Sequence, residues 1–176
     1  MKFHVGQTVI HPHHGPATVA KVMIRTVRGE QVEYAELEVV SSKLKVSIPM
    51  HKADDIGIRD VAGMRELDKL AEVLSGPTVG EEPQWSRRYK ANRASIATGD
   101  PLQLAAVVRD LVRRRELGSL SLGEKDLLKE ASAPLLAEIA LAVDVSEDDA
   151  REVMHAMIMN ESRAALDALD ERAEAV

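Results

Sequence analysis

Cysteine is absent from the 176-residue sequence, and aromatic residues make up only 2% of it. The lack of cysteine excludes a disulfide scaffold, an iron–sulfur centre and a zinc ribbon, and it fits a reducing cytoplasm. Charged residues interrupt every apolar stretch well before the roughly 18 residues that a membrane span requires, and no secretory leader is evident. We therefore expect a cytoplasmic protein without membrane contact, whose core is built from aliphatic side chains.

The net charge of −6 conceals a strong local asymmetry. Residues 84–130 contain 10 Lys or Arg against 6 Asp or Glu, whereas residues 144–176 contain 3 against 10. Because a polyanion senses the local potential, the basic middle is compatible with a nucleic-acid partner. The acidic end is interpreted as a solvated helix face, or alternatively as a segment that packs across the basic middle and restrains DNA binding.

The first part of the chain has the two-residue alternation and the β-branched residues that are typical of strands. Segments such as 17–24 and 44–48 are separated by turns, including His14-Gly15-Pro16. Short strands at close intervals favour a small antiparallel sheet or barrel. Helical periodicity begins near residue 60, so we predict an α+β protein with a β domain over residues 1–55 and an all-α domain over residues 62–176.

Several helices are predicted in the second part, and the first of them ends at Gly76-Pro77. Pro134 is expected to kink or divide one helix, and the last helix is predicted to continue to about Glu171. The helix starts are marked by a proline or by an N-cap residue. These starts are Pro83, Asp100 with Pro101, Ser121 with Glu124, and Ser146 with Asp149.

The densest functional signal lies in residues 84–93, which contain the only tryptophan and four cations but no acid. Arginine and lysine neutralise phosphates, and a tryptophan among cations can stack on an unpaired base or wedge between base steps. Alternatively, Trp85 belongs to the core and the charges form a solvated surface. A second basic cluster follows at residues 109–115. The predicted DNA-binding residues are Trp85, Arg87, Arg88, Lys90, Asn92, Arg93 and Arg114.

The segment from Trp85 to Asn92 resembles a signature of the CarD/CdnL family of bacterial transcription regulators. Other family motifs occur in the same order along the chain, from Met1 to about Val143, which makes the resemblance more specific than any one motif. These motifs are Val5-Gly6-Gln7-Thr8-Val9, Pro12-His13-His14-Gly15, Gly29-Glu30-Gln31, Ile48-Pro49, Gly57-Ile58-Arg59-Asp60-Val61, Val107-Val108-Arg109-Asp110-Leu111, and Leu120-Ser121 with Gly123-Glu124-Lys125.

The resemblance implies an N-terminal Tudor-like β barrel that binds the β subunit of RNA polymerase. It also implies that the helical domain lies on promoter DNA at the upstream edge of the transcription bubble, largely independently of sequence. There Trp85 enters the minor groove and hinders collapse of the bubble, while Arg87 and Lys90 match positions that contact the DNA backbone.

The resemblance also implies a set of residues at the polymerase interface, among which Arg25 matches a family contact. Ser47 stands where some members carry arginine, and Lys43 or Lys45 is expected to compensate. The polymerase-binding residues that follow are Arg25, Lys43, Lys45, Ser47, Ile48 and Pro49.

The sequence contains no Walker A loop, no G-x-S-x-G and no H-E-x-x-H motif. We therefore predict a non-enzymatic transcription regulator, monomeric and without a cofactor or metal. The alternative is a protein-interaction adaptor that does not contact DNA and has Trp85 in its core. His11, His13 and His14 are interpreted as structural, because His14 lies in a predicted turn and metal ligands must converge on one point. The methionines of residues 154–159 are interpreted as core, or alternatively as a partner-binding face.

Overall fold

The computed structural model describes residues 2–80 and 82–168 of the chain. The chain divides into two compact units, Met1–Val61 and Ala62–Val176, the first containing a β-sheet and the second built from helices. The predicted α+β class is confirmed. The first unit continues beyond residue 55 because β5 (Arg59–Asp60) pairs with β1 (Thr8–His11). No helix among the described residues is long and apolar enough to cross a membrane.

The first unit contains one antiparallel sheet with the spatial order β4-β3-β2-β1-β5. Its central hairpin joins β2 (Gly15–Val27) to β3 (Glu30–Val39) through a two-residue turn, in which Arg28 and Gly29 both have positive φ. Within the described residues the sheet is open; the sequence favoured a small antiparallel sheet or barrel, and the family resemblance implied a Tudor-like barrel. The strand β4 (Lys45–Pro49) is therefore an edge, and one side of its backbone lacks a strand partner in this sheet.

Alternation along the strands places one face of the sheet in the core of the first unit. Ala35, Leu37 and Val39 of β3 are buried and pack with Phe3 from the N-terminal segment. A β-bulge between Val19 and Lys21 shifts the register of β2, and the rest of that strand is largely exposed. A single 3₁₀ turn and the short helix α1 (Ala53–Ile56) connect β4 to β5.

The second unit is formed by α2 (Met64–Ser75), α3 (Trp85–Ala97), α4 (Pro101–Leu117), α5 (Leu122–Ala142) and α6 (Glu147–Asn160). These helices share one aliphatic core, as the scarcity of aromatic residues requires. Its largest fully buried side chains are Leu67, Leu74, Leu111, Leu127, Leu135, Ile139, Met157, Ile158 and Leu166.

The capping signals predict most helix starts correctly. Asp100 accepts a hydrogen bond from the backbone N–H of Leu102, and Ser121 forms the predicted capping box with Glu124. α5 remains one helix with Pro134 inside it. The predicted continuation of the last helix was wrong, because α6 ends at Asn160 and the next residue is left-handed. Helical backbone resumes at residues 164–168, and Glu171 lies outside the described residues.

Candidate nucleic-acid interface

α3 has few buried residues, and three polar contacts join it to the α5 region. Its buried residues are Arg88 and Ile96, so most of the helix faces solvent. In each of three contacts between α3 and the α5 region, the two residues are 36 or 37 positions apart in the sequence. Because this separation stays nearly constant along the helices, α3 and α5 run in the same direction. These contacts are Trp85 with Ser121, Arg88 with Glu124, and Arg93 with Glu130.

Trp85 occupies the first position of α3 and is 49% exposed, so it belongs to neither hydrophobic core. Its indole Nε1 donates a hydrogen bond to Ser121 Oγ at 3.0 Å. One turn later along α3, Tyr89 stacks on the indole with a centroid distance of 5.5 Å and an interplanar angle of 27°. The ring is thus held by two neighbours while about half of it remains open to solvent.

Arg88 is not exposed on α3, although the sequence predicted it as one of the DNA-binding residues. Its side chain is buried, and Nε and Nη2 both donate to Glu124 Oε1, at 2.9 and 2.7 Å. Nη1 donates to the carbonyl oxygens of Glu82 and Pro83. We therefore replace the DNA-binding role expected for Arg88 with a structural one, since it joins α3 and the segment before it to α5.

Glu124 stays charged in this buried position because its hydrogen bonds compensate for the loss of water. Burial alone raises its pKa, but the hydrogen bonds from Arg88 and from Ser121 outweigh that effect and hold the pKa below its ordinary value. Its Oε2 accepts from both the backbone N–H and the hydroxyl of Ser121. The carboxylate is therefore the centre that links the Arg88 guanidinium to the cap of α5.

The remaining residues of the predicted DNA-binding set differ in their exposure to solvent and in their ion pairs. Arg87 and Lys90 are exposed, and Asn92 is half-buried. Arg93 is exposed but its Nη1 lies 2.6 Å from Glu130 Oε2. Arg114 of α4 is partly exposed, and its Nε lies 3.5 Å from Glu124 Oε1. Trp85, Arg87 and Lys90 are exposed at the start of α3, with the two cations on a different side of the helix from Trp85, and we call the surface that they define the α3 surface.

Most of the second basic cluster has a structural role that its charge did not reveal. Arg109 is buried and donates to the carbonyl of Val73 near the C-terminus of α2. Arg113 donates to the carbonyl oxygens of Gly76 and Ile158, near the ends of α2 and α6. Helix C-termini present carbonyl groups without intrahelical partners, which arginine satisfies well. The cations of α4 thus serve mainly to join helices.

Sequence reasoning recognised Ser121 and Glu124 as a capping box but did not identify Ser121 as a neighbour of Trp85 or Glu124 as the partner of Arg88. The motif was readable because its members are three residues apart. Gly123 was not singled out as a contact either, although a Cβ there would lie 3.0 Å from the Tyr89 ring. Nothing in the local pattern signals these contacts, because each joins residues more than thirty positions apart.

In the first unit, Arg25 stands near the other candidate residues of the sheet. Its guanidinium carbon lies 5.1 Å from the centroid of the Tyr34 ring, and its Nη2 donates to Ser47 Oγ at 3.4 Å. Lys45 lies 3.6 Å from Glu36, and Lys43 lies 3.9 Å from Glu38. The structure thus brings Arg25 of β2 and Ser47 of β4 together across the intervening strand β3 and leaves both exposed.

The last two residues of β4 differ from their neighbours in burial. Ile48 is a buried member of the core of the first unit, whereas Pro49 is half-buried. The side chain of Ile48 therefore supports β4 from within. Any contact that it makes with a partner would have to run through its backbone, which lies on the edge strand.

The histidine cluster packs at the turn between β1 and β2. His11 is buried, and its ring centroid lies 4.5 Å from that of His14. Burial, together with the nearby His14 and His13, lowers the pKa of His11 to about 4. Within residues 2–80 and 82–168, no group of three or more His, Asp or Glu side chains is arranged to hold a metal ion.

Comparison with known proteins divides the chain in a similar way. Residues 3–62 match the family description "CarD-like/TRCF RID domain", and residues 69–155 match "CarD, C-terminal domain". The chain is 27% identical over 145 residues to a protein of Bacillus subtilis (strain 168) called "Putative transcription factor YdeB", covering 82% of this chain and 95% of that protein. On these matches, the chain belongs to the CarD/CdnL family of transcription regulators.

Proposed function

We propose that the protein binds the β subunit of RNA polymerase through its first unit and promoter DNA through the α3 surface. The contact with DNA is at the upstream edge of the transcription bubble, where Trp85 enters the minor groove and stabilises the open complex. The observation that carries this proposal is the half-exposed indole of Trp85, held outward on a helix that contains cations and no acid.

The chemistry of the α3 surface suits a melted duplex edge. Arg87 and Lys90 are exposed on the same helix as Trp85, on a different side of it, where they would neutralise backbone phosphates without reading sequence. An aromatic side chain that stacks on a base contributes about 1–3 kcal/mol, and 1.4 kcal/mol changes an equilibrium tenfold. A single inserted indole therefore suffices to shift the balance between open and closed promoter. Asn92, Arg93 and Arg114 would contribute at the margin of this surface.

The first unit offers an edge strand and a polar cluster to a protein partner. The backbone of β4 can accept a further strand, a common mode of recognition at sheet edges. Ser47 belongs to this strand and is contacted by Arg25 from β2, while the exposed Lys45 begins the strand and the exposed Lys43 precedes it. Position 47 is a serine that accepts a hydrogen bond from Arg25, where some family members have a second arginine. We therefore expect Arg25 to make most of the charged contact with polymerase.

Two weak contacts in one chain are enough for such a regulator. A net charge of −6 disfavours tight binding to random DNA, so delivery to promoters would depend on polymerase. Once one unit is bound, the linked unit experiences a raised effective concentration of its own target. We propose that the protein acts in this way as a monomer in the cytoplasm, associated with the nucleoid through polymerase.

The decisive experiment compares open-complex lifetimes with the wild-type protein, Trp85→Ala and Trp85→Phe. We expect Trp85→Ala to shorten the lifetime about tenfold and Trp85→Phe to have an intermediate effect, because phenyl offers a smaller stacking surface. The thermal midpoint should change little, since Trp85 lies outside both cores. Equal lifetimes for all three proteins would instead favour an adaptor that does not contact DNA.

The polymerase contact is tested separately by a charge reversal. Arg25→Glu should weaken binding to the isolated β-subunit lobe, because it opposes the charge and removes the contact with Ser47. Lys52→Glu is the matched control, since it makes the same charge change at an exposed residue of the 3₁₀ turn. If both variants weaken binding equally, the effect is one of net charge and the proposed contact is wrong.

A further inference from the structure

We propose that Ser121 and Gly123 are positioning residues that fix the orientation of the Trp85 indole before DNA is bound. Ser121 acts through its hydroxyl, and Gly123 acts by leaving room for the Tyr89 ring on which the indole stacks. This inference rests on the proposed function, because it concerns the readiness of Trp85 to enter DNA. It assigns a function to the start of α5 beyond the capping of that helix.

The hydroxyl of Ser121 has its full set of hydrogen bonds in this arrangement. It donates to Glu124 Oε2 at 2.8 Å, and it accepts from the backbone N–H of Glu124 and from Trp85 Nε1. A serine hydroxyl has one proton and two lone pairs, so these contacts use its whole capacity. Because its proton is committed to Glu124, a lone pair faces the indole N–H.

Ser121 is itself held by a buried ion pair. Glu124 is 2% exposed, and its two oxygens are shared between Arg88 on one side and Ser121 on the other. Arg88 lies on α3, one turn from Trp85. The indole and its acceptor are therefore tied to the same buried pair, which fixes the distance between the two helices where the indole hydrogen bond forms.

Gly123 determines the position of the ring beneath the indole. A Cβ at residue 123 would lie 3.0 Å from Tyr89 Cε2 and 3.6 Å from Cδ2, so the tyrosine ring would have to shift by a few tenths of an ångström. Tyr89 stacks on Trp85, so we expect a shift of the tyrosine ring to change the position of the indole. A glycine inside the first turn of a helix otherwise has a conformational cost relative to alanine. The close approach of Tyr89 accounts for its presence here.

An indole that is already oriented loses less conformational entropy when it enters DNA. Immobilising one side chain on binding typically reduces affinity by about 2- to 12-fold. A substitution that frees the orientation of the Trp85 side chain but keeps the indole should therefore lower the affinity for forked promoter DNA by a factor within that range. The indole itself and the cations of the α3 surface would be unchanged.

Trp85 is the only tryptophan, so its fluorescence reports directly on this arrangement. We would compare acrylamide quenching and steady-state anisotropy in the wild-type chain and in Ser121→Ala, Ser121→Thr and Gly123→Ala. Ser146→Ala is the matched control, because Ser146 caps α6 through the same hydrogen bonds with Asp149 and has no contact with Trp85. Ser121→Ala and Ser146→Ala should both lower the thermal midpoint.

We expect Ser121→Ala to raise quenching and lower anisotropy, and Ser121→Thr to restore both. Ser146→Ala should leave both signals at their wild-type values. Gly123→Ala should change the Trp85 signals without a loss of thermal stability, because alanine favours the helix. If Ser121→Ala and Ser146→Ala give the same fluorescence, Ser121 is only a cap and the inference fails. If Gly123→Ala leaves the fluorescence unchanged, the part assigned to Gly123 fails.

Binding to forked promoter DNA completes the test, with Trp85→Ala as the reference. Ser121→Ala should bind about 3- to 10-fold more weakly than the wild type, with Ser121→Thr close to it. Altered fluorescence with unchanged DNA affinity would overturn the inference, because orientation would then have no effect on binding. If Trp85→Ala itself binds as tightly as the wild type, the proposed DNA contact fails. The fluorescence comparison would still decide whether Ser121 orients the indole.

Discussion

The Nη2 atom of Arg88 lies 2.7 Å from Oε1 of Glu124, and the two side chains are only 9% and 3% exposed. This ion pair connects α3 to α5 at the point where Trp85 projects from the surface. Removing one partner of a buried pair leaves an uncompensated charge, whereas an exposed pair contributes little. The orientation of the α3 surface therefore depends on a pair that a ligand cannot reach in this conformation.

Loss of the buried pair should destabilise the second unit strongly. We expect Arg88→Ala to lower the free energy of unfolding by about 3–5 kcal/mol, because Glu124 would remain buried without its main partner. Arg93→Ala is the matched control, since the Arg93–Glu130 pair joins the same two helices but is about half exposed. Arg93→Ala should lower the free energy of unfolding by only about 0–1 kcal/mol. Equal losses in denaturant titrations would contradict the structural role of Arg88.

The charge of Glu124 makes part of this stability depend on pH. Its folded-state pKa lies below the ordinary value of 4.5, so its stabilising effect is fully present above pH 4.5. The effect is lost as the pH falls through the depressed folded-state pKa, because the carboxylate must then be protonated. The stability difference between the wild type and Glu124→Gln should therefore shrink below pH 4.5. A difference that stays constant from pH 7 to pH 3 would contradict this.

His11 gives the first unit a separate dependence on pH. Its folded-state pKa of about 4 is below the ordinary value of 6.5, so between these values the unfolded chain binds more protons than the folded one. The first unit should therefore be most stable above pH 6.5 and lose stability progressively as the pH falls towards 4. The test is an NMR titration of the His11 ring in the folded protein. A His11 midpoint near 6.5 would refute the prediction.

The cations of the α3 surface should control the salt dependence of DNA binding. We expect Arg87→Ala and Lys90→Ala each to weaken binding and to reduce the slope of log affinity against log salt by about one. Lys69→Ala on α2 removes the same charge from an exposed position on another helix, and it should leave the slope unchanged. A slope that falls equally in all three variants would reflect net charge rather than contact with phosphates.

Local signals in the sequence predicted a large part of the fold. The alternation at residues 44–48, which contain most of β4, and the caps at Asp100 and Ser121 each depend on residues only a few positions apart. The continuation of the last helix was predicted wrongly, because helical periodicity does not reveal the left-handed residue Glu161 after α6. The sequence left open whether the sheet closes into a barrel, because closure depends on whether the first and last strands of the order pair with each other.

The sequence by itself determined that a cation-rich, acid-free helix carries the only tryptophan, because composition and helical periodicity are properties of neighbouring residues. It could not show which of those cations face outward. Only the tertiary structure placed Arg88 inside, because its partner Glu124 is 36 residues away and their pairing requires α3 and α5 to lie side by side. The same packing supplied the acceptor for Trp85, since a hydrogen bond between distant residues exists only after the helices have met.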